Sequence, residues 1–373
     1  MDGMTTDASS TGADGPGPDE GPIFVVGSMR SGSTLLRLIL DSHPRIAIGA
    51  ETGFMGAVMG TKRIASWKHG AEWFQRIDWS EPELDERLRD FYAGMFARYA
   101  AGRGKARWGE KTPFHTAYIA TMAEIFPTSV FVGIVRHPGA VAASLHKSFH
   151  YTFDEALSYW TAINLDMING AGELGDRFVL CRYEDLVTDE EPVLREVMRT
   201  LGEEFSPHLL QHHVVQREQG SPRVVDGSTS TRDPIDPRRA HRWMDALTPA
   251  ERAALERTAP LAALFGYPPF DAAERLRLDA ASDDHRWTLT GDDVARLRER
   301  AQGRVDFESR PPVPPLDADP EDLARRLSHV EAALARTRSR RAVRLADAAR
   351  GLQRGRSWSD LKAVWRALHD PQS

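Results

Sequence analysis

Short apolar runs alternate with longer segments of helical periodicity along the first two-thirds of the chain. Ile23–Val26, Val130–Val135 and residues 178–181 are continuous apolar runs, as is typical of strands buried on both faces. Ile46–Ile48 is a shorter strand candidate. Helical spacing fills the intervals, over residues 35–40, 54–100, 118–126, 140–148 and 192–201. The alternation predicts an α/β fold with a central parallel sheet flanked by helices.

The pattern weakens at both ends of the chain and so indicates domain boundaries. Residues 1–21 contain no aromatic and no branched aliphatic side chain, which predicts a disordered tail. Residues 22–275 form the predicted folded domain. Residues 276–320 read as a linker with a Pro-rich spacer at 311–315. Residues 321–373 regain helical spacing and predict a basic helical C-terminal segment.

Charge separates that C-terminal segment from the rest of the chain. The net charge is −6, but residues 325–373 hold twelve Lys or Arg against four acidic residues, a balance of +8 that leaves −14 elsewhere. Basic helices with Trp and Leu on one face are typical of membrane interfaces. The same leucines also suit a dimer seam or packing on the acidic body. We therefore expect either peripheral membrane contact or a homodimer, and no nucleic-acid partner.

Cysteine content and hydropathy bear on the compartment. Cys181 is the single cysteine, so no internal disulfide and no multi-cysteine metal site can form. No stretch reaches the roughly 18 apolar residues of a membrane span, and residues 1–30 lack a signal-peptide pattern. These features predict a cytoplasmic protein, with the inner membrane face as the place of any peripheral contact.

The loop after the first strand has the spacing of a phosphate-binding loop. Residues 27–34, GSMRSGST, place two glycines and the hydroxyls of Ser31, Ser33 and Thr34 between a strand and a helix, where backbone amides and the helix N-terminus favour an anion. A nucleoside-triphosphate loop requires Lys at position 33, which is Ser here. The nearest cation is Arg30. The substitution disfavours a small-molecule kinase or NTPase and favours another phosphate ester.

Six segments, in this order, carry a resemblance to a known family. They are PIFVVGSMRSGSTLLRLILDSHPRIAIGAET at 22–52, WGEKTP at 108–113, VGIVRHPGAVAASLHKS at 132–148, CRYEDLVTD at 181–189, STSTRDPIDPRRAHRW at 228–243 and GYPPFD at 266–271. Together they resemble the sulfotransferases that use 3′-phosphoadenosine 5′-phosphosulfate (PAPS), especially the tyrosylprotein branch and its bacterial relatives. The resemblance implies a P-loop-like sheet and PAPS as co-substrate.

The resemblance also assigns the donor-binding residues. It implies that the 5′-phosphosulfate lies on Arg30, Ser31, Gly32, Ser33 and Thr34. It implies that Arg136 and Ser144 bind the 3′-phosphate, and a guanidinium at the carboxyl end of a strand suits that task. The further nucleotide contacts that it implies are Tyr183, Ser230 and Arg242, with Arg239 as the alternative to Arg242.

For catalysis, the resemblance implies Glu51 as the base that deprotonates the acceptor, with Lys111 and Arg30 neutralising the charge that develops on the leaving phosphate. Some members of the family use histidine as the base, so His115 is the rival to Glu51. His43 and His146 suit structural roles. Glu110 could pair with its neighbour Lys111.

The resemblance implies an enzyme that moves the sulfuryl group from PAPS to a hydroxyl by in-line displacement, without a metal. The expected acceptor is a glycan, a lipid-linked saccharide or a natural product. Two alternatives stay open at this point: a P-loop small-molecule kinase or NTPase, and a non-catalytic anion-binding scaffold whose basic C-terminal segment carries the function.

Overall fold

The computed structural model describes residues 21–149, 151–220, 225–226, 229–230, 233–267, 288–309 and 311. Its strands are β1 (Ile23–Val26), β2 (Ile46–Ile48), β3 (Arg107–Lys111), β4 (Val130–Val135), β5 (Phe178–Arg182), β6 (Val225–Asp226), β7 (Thr229–Ser230) and β8 (Thr288–Thr290). Within these residues, six strands form one sheet in the order β2-β3-β1-β4-β5-β8, and β6 pairs with β7.

Helices fill the intervals between the strands. They are α1 (Ser33–Asp41), α2 (Phe54–Ser66), α3 (Lys68–Arg76), α4 (Glu81–Ala101), α5 (Ile119–Ile125), α6 (Pro138–Phe149), α7 (Phe153–Ala171), α8 (Tyr183–Thr188), α9 (Glu190–Leu201), α10 (His212–Glu218), α11 (Pro249–Ala254), α12 (Ala259–Leu264) and α13 (Gly291–Ala301). None of these helices is long and apolar enough to cross a bilayer.

The first five strands of the sheet run parallel, with β1 at the centre. Ile23 lies in register with Gly109 of β3 on one side and with Val130 of β4 on the other. β2 joins β3 and β5 joins β4, both in parallel. The carboxyl ends of these strands therefore meet at one edge, where ligands bind in α/β sheets. The predicted parallel sheet flanked by helices is confirmed.

Alternation along the strands supplies a core on each face of the sheet. Phe24 and Phe131 point into one core, which α2, α4, α5 and α7 cover. Val25 and Val132 point into the other, which α1 and α9 cover. Because consecutive strand side chains point to opposite faces, the uninterrupted apolar runs of the sequence reflect burial on both sides.

Strand β3 departs from that apolar pattern. The sequence showed no strand here, because Arg107, Glu110 and Lys111 interrupt the apolar pattern, yet every residue of β3 is buried. The charges are tolerated because they have partners. Arg107, for example, donates to the Gly21 carbonyl at 2.7 Å and pairs with Glu203 at 3.2 Å. Buried charges persist where such partners replace water.

The structure corrects two element predictions. Residues 54–100, read as one helical stretch, form the three helices α2, α3 and α4. The linker predicted for 276–320 is wrong for residues 288–309. There β8 pairs antiparallel with β5, with Thr290 opposite Val179, and α13 follows. Val294 of α13 and Phe307, beyond its end, lie in the core. The three-residue strand is too short for periodicity to detect.

Residues 1–20 and 312–373 lie outside the described part of the chain. The predicted disordered tail, most of the Pro-rich spacer and the basic C-terminal segment fall in these ranges, and they stay predictions.

Candidate active site

The phosphate loop connects β1 to α1 at the carboxyl edge of the sheet. Gly27 and Gly32 have φ values of 148° and 101°, and Arg30 between them has 66°. A Cβ on Gly32 would lie 2.3 Å from the ring of Tyr183, so only glycine fits that close approach. Gly32 is also the N-cap of α1, and no side chain caps the first turn. The first-turn amides therefore suit an anionic ligand.

Three arginines converge beside this loop. Arg30 donates through Nε to Ser144 Oγ at 2.8 Å. Arg136 donates to the carbonyl oxygens of Arg30, at 3.3 Å, and of Arg239, at 2.9 Å. The guanidinium of Arg136 also lies over the ring of Tyr183, 4.1 Å from its centroid. The predicted residues Arg30, Arg136, Ser144 and Tyr183 are thus neighbours, and we call this group the arginine cluster, with Arg239 as its fifth member.

The arginine cluster retains buried donors. The Nε atoms of Arg136 and Arg239 are both buried, and neither has a hydrogen-bond partner within the described residues. Buried polar atoms in folded proteins are almost always paired. Two such guanidinium N–H groups beside a phosphate loop are therefore suited to phosphate oxygens, which guanidinium binds well.

The predicted nucleotide contacts of the segment 228–243 lie in different places. Arg239 is half-buried and belongs to the cluster, whereas the Arg242 side chain is 61% exposed and pairs with Asp236 at 3.2 Å. Of these two arginines, the structure brings the alternative, Arg239, to the site. Ser230 lies in β7, and only its backbone is described. Its role stays a prediction.

Glu51 and Lys111 meet on the other side of the loop. The Lys111 ammonium forms an ion pair with the Glu51 carboxylate and donates to Thr34 Oγ1 at 3.1 Å. The Lys111 side chain is 2% exposed and that of Glu51 is 48% exposed. Lys111 therefore lies between the start of α1 and a carboxylate that is open to an incoming molecule.

Glu110 does not pair with Lys111, contrary to the interpretation that the sequence left open. Glu110 and Lys111 are neighbours on β3, so the Glu110 side chain points to the opposite face of the sheet, where it is 2% exposed. Its carboxylate accepts from Thr52, Thr112 and His115. Burial by itself would raise the pKa of Glu110, but these hydrogen bonds outweigh burial and hold the pKa below its usual range. Alternation along β3 explains why Glu110 and Lys111 point to opposite faces, but the sequence carried no signal for this strand.

His115, the rival base, has both ring nitrogens engaged. Nδ1 lies 2.8 Å from Glu110 Oε2, and Nε2 accepts from the Met55 amide at 3.4 Å. The His115 side chain is buried, so its ring is not open to an acceptor substrate. His43 bonds to the Glu204 carbonyl and to the Arg45 amide, and His146 bonds to the Tyr151 carbonyl. All three histidines therefore make structural contacts.

No group of three or more His, Cys, Asp or Glu side chains is arranged to hold a metal ion in the described part of the chain. The arrangement offers amides, guanidinium groups and an ammonium for an anion, with an open carboxylate beside them. Such a site can bind a phosphate ester and stabilise a leaving phosphate oxygen while a base receives a proton.

Residues 22–207 match the model of the sulfotransferase family, and the chain belongs to this family. A putative protein-tyrosine sulfotransferase of Caenorhabditis briggsae is 23% identical over 253 residues, which cover 66% of this chain and 88% of the relative. Protein-tyrosine sulfotransferase 2 of Gallus gallus is 26% identical over 262 residues, covering 66% and 70%. The predicted resemblance is confirmed.

Among solved structures, the sulfotransferase domain from the Synechococcus PCC 7002 olefin synthase is similar, with 23% identity, a TM-score of 0.45, and coverage of 66% of this chain and 95% of that one. Family membership makes this protein an enzyme that transfers a sulfuryl group to an acceptor hydroxyl. It also implies PAPS as the co-substrate.

Proposed function

We propose that the enzyme binds PAPS with its 5′-phosphosulfate on the loop 27–34 and its 3′-phosphate in the arginine cluster. The observation that carries this proposal is the pair of buried Nε donors on Arg136 and Arg239. Arg30 and Ser144, already bonded to each other, lie beside them. A second phosphate position next to the loop is what a nucleotide phosphorylated at both 3′ and 5′ requires.

In the proposed reaction the acceptor oxygen forms a bond to sulfur as the bond from sulfur to the bridging phosphate oxygen breaks. Glu51 accepts the hydroxyl proton, and adenosine 3′,5′-bisphosphate (PAP) leaves. Lys111 and Arg30 stabilise the negative charge on the departing oxygen. Lys111 is placed for this because it contacts both Thr34, in the first turn of α1, and Glu51.

Two features support Glu51 over His115 as the base. The Glu51 carboxylate is half-exposed and next to Lys111, so an acceptor can reach it. The His115 Nε2 atom, which would have to receive the proton, already accepts from the Met55 amide. A general base must lie within hydrogen-bond reach of the proton that it removes, and only Glu51 is open to an incoming acceptor.

Two aromatic rings lie close to the glycines two residues before and two residues after Glu51, and they bear on the acceptor. A Cβ built on Gly49 would lie 3.4 Å from the Tyr99 ring, and one on Gly53 would lie 3.3 Å from the Phe114 ring. These rings are 42% and 41% exposed. We infer that the acceptor hydroxyl is carried on an aromatic or other apolar body. Among the expected acceptors this favours a natural product over a glycan, and it agrees with relatives named protein-tyrosine sulfotransferases.

The test is thermal unfolding with PAP and, separately, with ATP and magnesium. PAP is expected to raise the melting temperature, because a ligand at 100 times its dissociation constant stabilises the native state by about 2.7 kcal/mol. ATP with magnesium is expected to raise it less, since Ser33 replaces the lysine of a triphosphate loop. A larger shift with ATP would revive the kinase alternative, and no shift with PAP would contradict the proposal.

The cytoplasmic location and the role of residues 321–373 stay predictions. Flotation with anionic and neutral liposomes at low and high salt tests membrane contact, since binding through basic residues is confined to anionic liposomes and lost at high salt. Truncation at Pro320 tests the dimer alternative. Sulfate transfer that survives this truncation but is lost in Arg30→Ala would contradict the scaffold alternative.

A further inference from the structure

Two pairs of consecutive residues face each other across the carboxyl end of β3. Glu110 and Lys111 end the strand, and Glu51 and Thr52 lie in the segment that follows β2. Glu51 pairs with Lys111, while Thr52 bonds to Glu110. Because neighbouring strand residues point to opposite faces, the second contact lies behind the first, on the side away from the phosphate loop.

The contact between Thr52 and Glu110 consists of several hydrogen bonds. Glu110 Oε1 accepts from the Thr52 amide at 3.1 Å, from Thr52 Oγ1 at 2.9 Å and from Thr112 Oγ1 at 2.7 Å. Thr112 Oγ1 in turn accepts from the Gly53 amide at 3.2 Å. The backbone of Thr52 and Gly53, directly after Glu51, is therefore tied to the end of β3 by hydrogen bonds that start at one buried carboxylate.

His115 fixes the orientation of that carboxylate. Its Nε2 accepts from the Met55 amide, so Nδ1 carries the proton and donates to Glu110 Oε2 at 2.8 Å. The imidazole is packed edge-on between Phe54 and Phe114, with ring centroids 5.0 and 4.8 Å away. The ring has little freedom to turn, and neither has the Glu110 carboxyl that it holds.

We propose that Glu110 is a positioning residue, which holds the Thr52–Gly53 backbone so that Glu51 stays beside Lys111 at the reacting centre. The inference rests on the proposed role of Glu51 as the base. The Glu51 side chain is half-exposed and Gly53 has a φ of 64°. Lys111 holds the Glu51 carboxylate, and the hydrogen bonds between Thr52 and Glu110 hold the backbone that carries the Glu51 side chain.

Thr52 offers the mildest way to weaken this positioning. Thr52→Val removes the hydroxyl donor to Glu110 with little change in volume, and we expect turnover to fall ~10-fold, equivalent to about 1.4 kcal/mol. Thr52→Ser keeps the hydroxyl and should retain turnover within a factor of about 2–3. Thr61→Val is the matched control, because the Thr61 hydroxyl bonds within α2, to the Ala57 carbonyl. It should leave turnover unchanged.

The decisive comparison repeats Glu110→Gln in a Glu51→Gln background. A residue that acts through Glu51 has nothing left to position once the base is gone, so the loss from Glu110→Gln should shrink from ~10–100-fold to less than about 2-fold. An equal loss in both backgrounds would overturn the inference and leave Glu110 a structural residue. Turnover is followed as PAP released from PAPS, with 2-naphthol as the acceptor probe.

A crystal structure of Glu110→Gln decides the question independently of activity. The expected result is a Glu51 carboxylate displaced from Lys111 with the sheet unchanged, and a retained Glu51–Lys111 pair would overturn the inference. Failure of the unmodified protein to bind PAP would contradict the proposed function alone. Failure of 2-naphthol to react would not affect the structural result.

Discussion

The two sides of the site are built in different ways. On the donor side, Arg136 donates to the backbone carbonyls of Arg30 and Arg239, so its position depends on the backbone of the loops that form the site. On the acceptor side, Glu51 pairs with Lys111, and the rings of Tyr99 and Phe114 lie close to Gly49 and Gly53, so this side is built from side chains of segments far apart in the chain. The difference indicates that donor binding can stay constant while the acceptor side changes.

The sharpest test of this separation is Glu51→Gln. Turnover is expected to fall by ~10²–10⁴-fold, the usual contribution of a general base, while affinity for PAP stays nearly unchanged. Initial rates with PAPS and calorimetric titration with PAP measure the two quantities. Normal turnover in Glu51→Gln together with an inactive His115→Ala would show that the base assignment is wrong.

Arg136→Ala should have the reverse effect. Affinity for PAP is expected to fall by ~10–100-fold, because a charged hydrogen-bond donor to the 3′-phosphate is worth about 1.5–3 kcal/mol. Affinity for adenosine 5′-phosphosulfate, which lacks that phosphate, should change little. Equal losses for both nucleotides would instead mean that Arg136 acts by holding the backbone of Arg30 and Arg239.

Arg239 and Arg242 lie in the same segment, and their alanine variants form a matched pair. Arg239→Ala is expected to weaken PAP binding by ~10-fold, because its buried Nε lies in the arginine cluster. Arg242→Ala should change PAP binding by less than about 2-fold, since exposed ion pairs such as that with Asp236 contribute little. The opposite ranking in calorimetric titrations would restore Arg242 as the nucleotide contact.

The smallest expected effect concerns the acceptor side and pH. In the folded protein the pKa of Glu110 is held below its ordinary value of about 4.3. The ionised carboxylate therefore stabilises the fold at pH values above about 4.3. This stabilisation is lost as the pH falls through the lower pKa of the folded state. Glu110→Gln should lower the free energy of unfolding by about 1–2 kcal/mol at pH 7 and by less at pH 4. Urea denaturation at both pH values measures the difference, and a constant difference would contradict this account.

The sequence signals for the proposed donor side are local. The glycines and hydroxyls of residues 27–34 lie in one loop, and Arg136 follows directly after an apolar strand. The structure brings these residues together with Ser144 and Tyr183. These residues are far apart in the chain, but parallel strands bring their carboxyl ends, and the residues that follow them, to one edge of the sheet.

The remaining features depend on contacts between distant residues, which the periodicity of the sequence does not reveal. Strand β3 contains charges whose partners, such as Glu203 for Arg107, lie nearly a hundred residues away. The choice between Arg239 and Arg242 depends on which side of one short 3-10 turn, Pro237–Ala240, faces Arg136. The role of Glu110 required knowing that Thr52 crosses the end of its strand.

The antiparallel pairing of β8 with β5 has a consequence during synthesis. Residues 178–182 leave the ribosome about a hundred residues before Thr288–Thr290, so the growing polypeptide presents an unpaired strand edge for that interval. Open edges of this kind readily join another chain. A fragment ending near residue 275, where the sequence alone would place the boundary, would expose that edge permanently. Recombinant versions that stop there are expected to aggregate, whereas versions that include residue 309 should remain monodisperse.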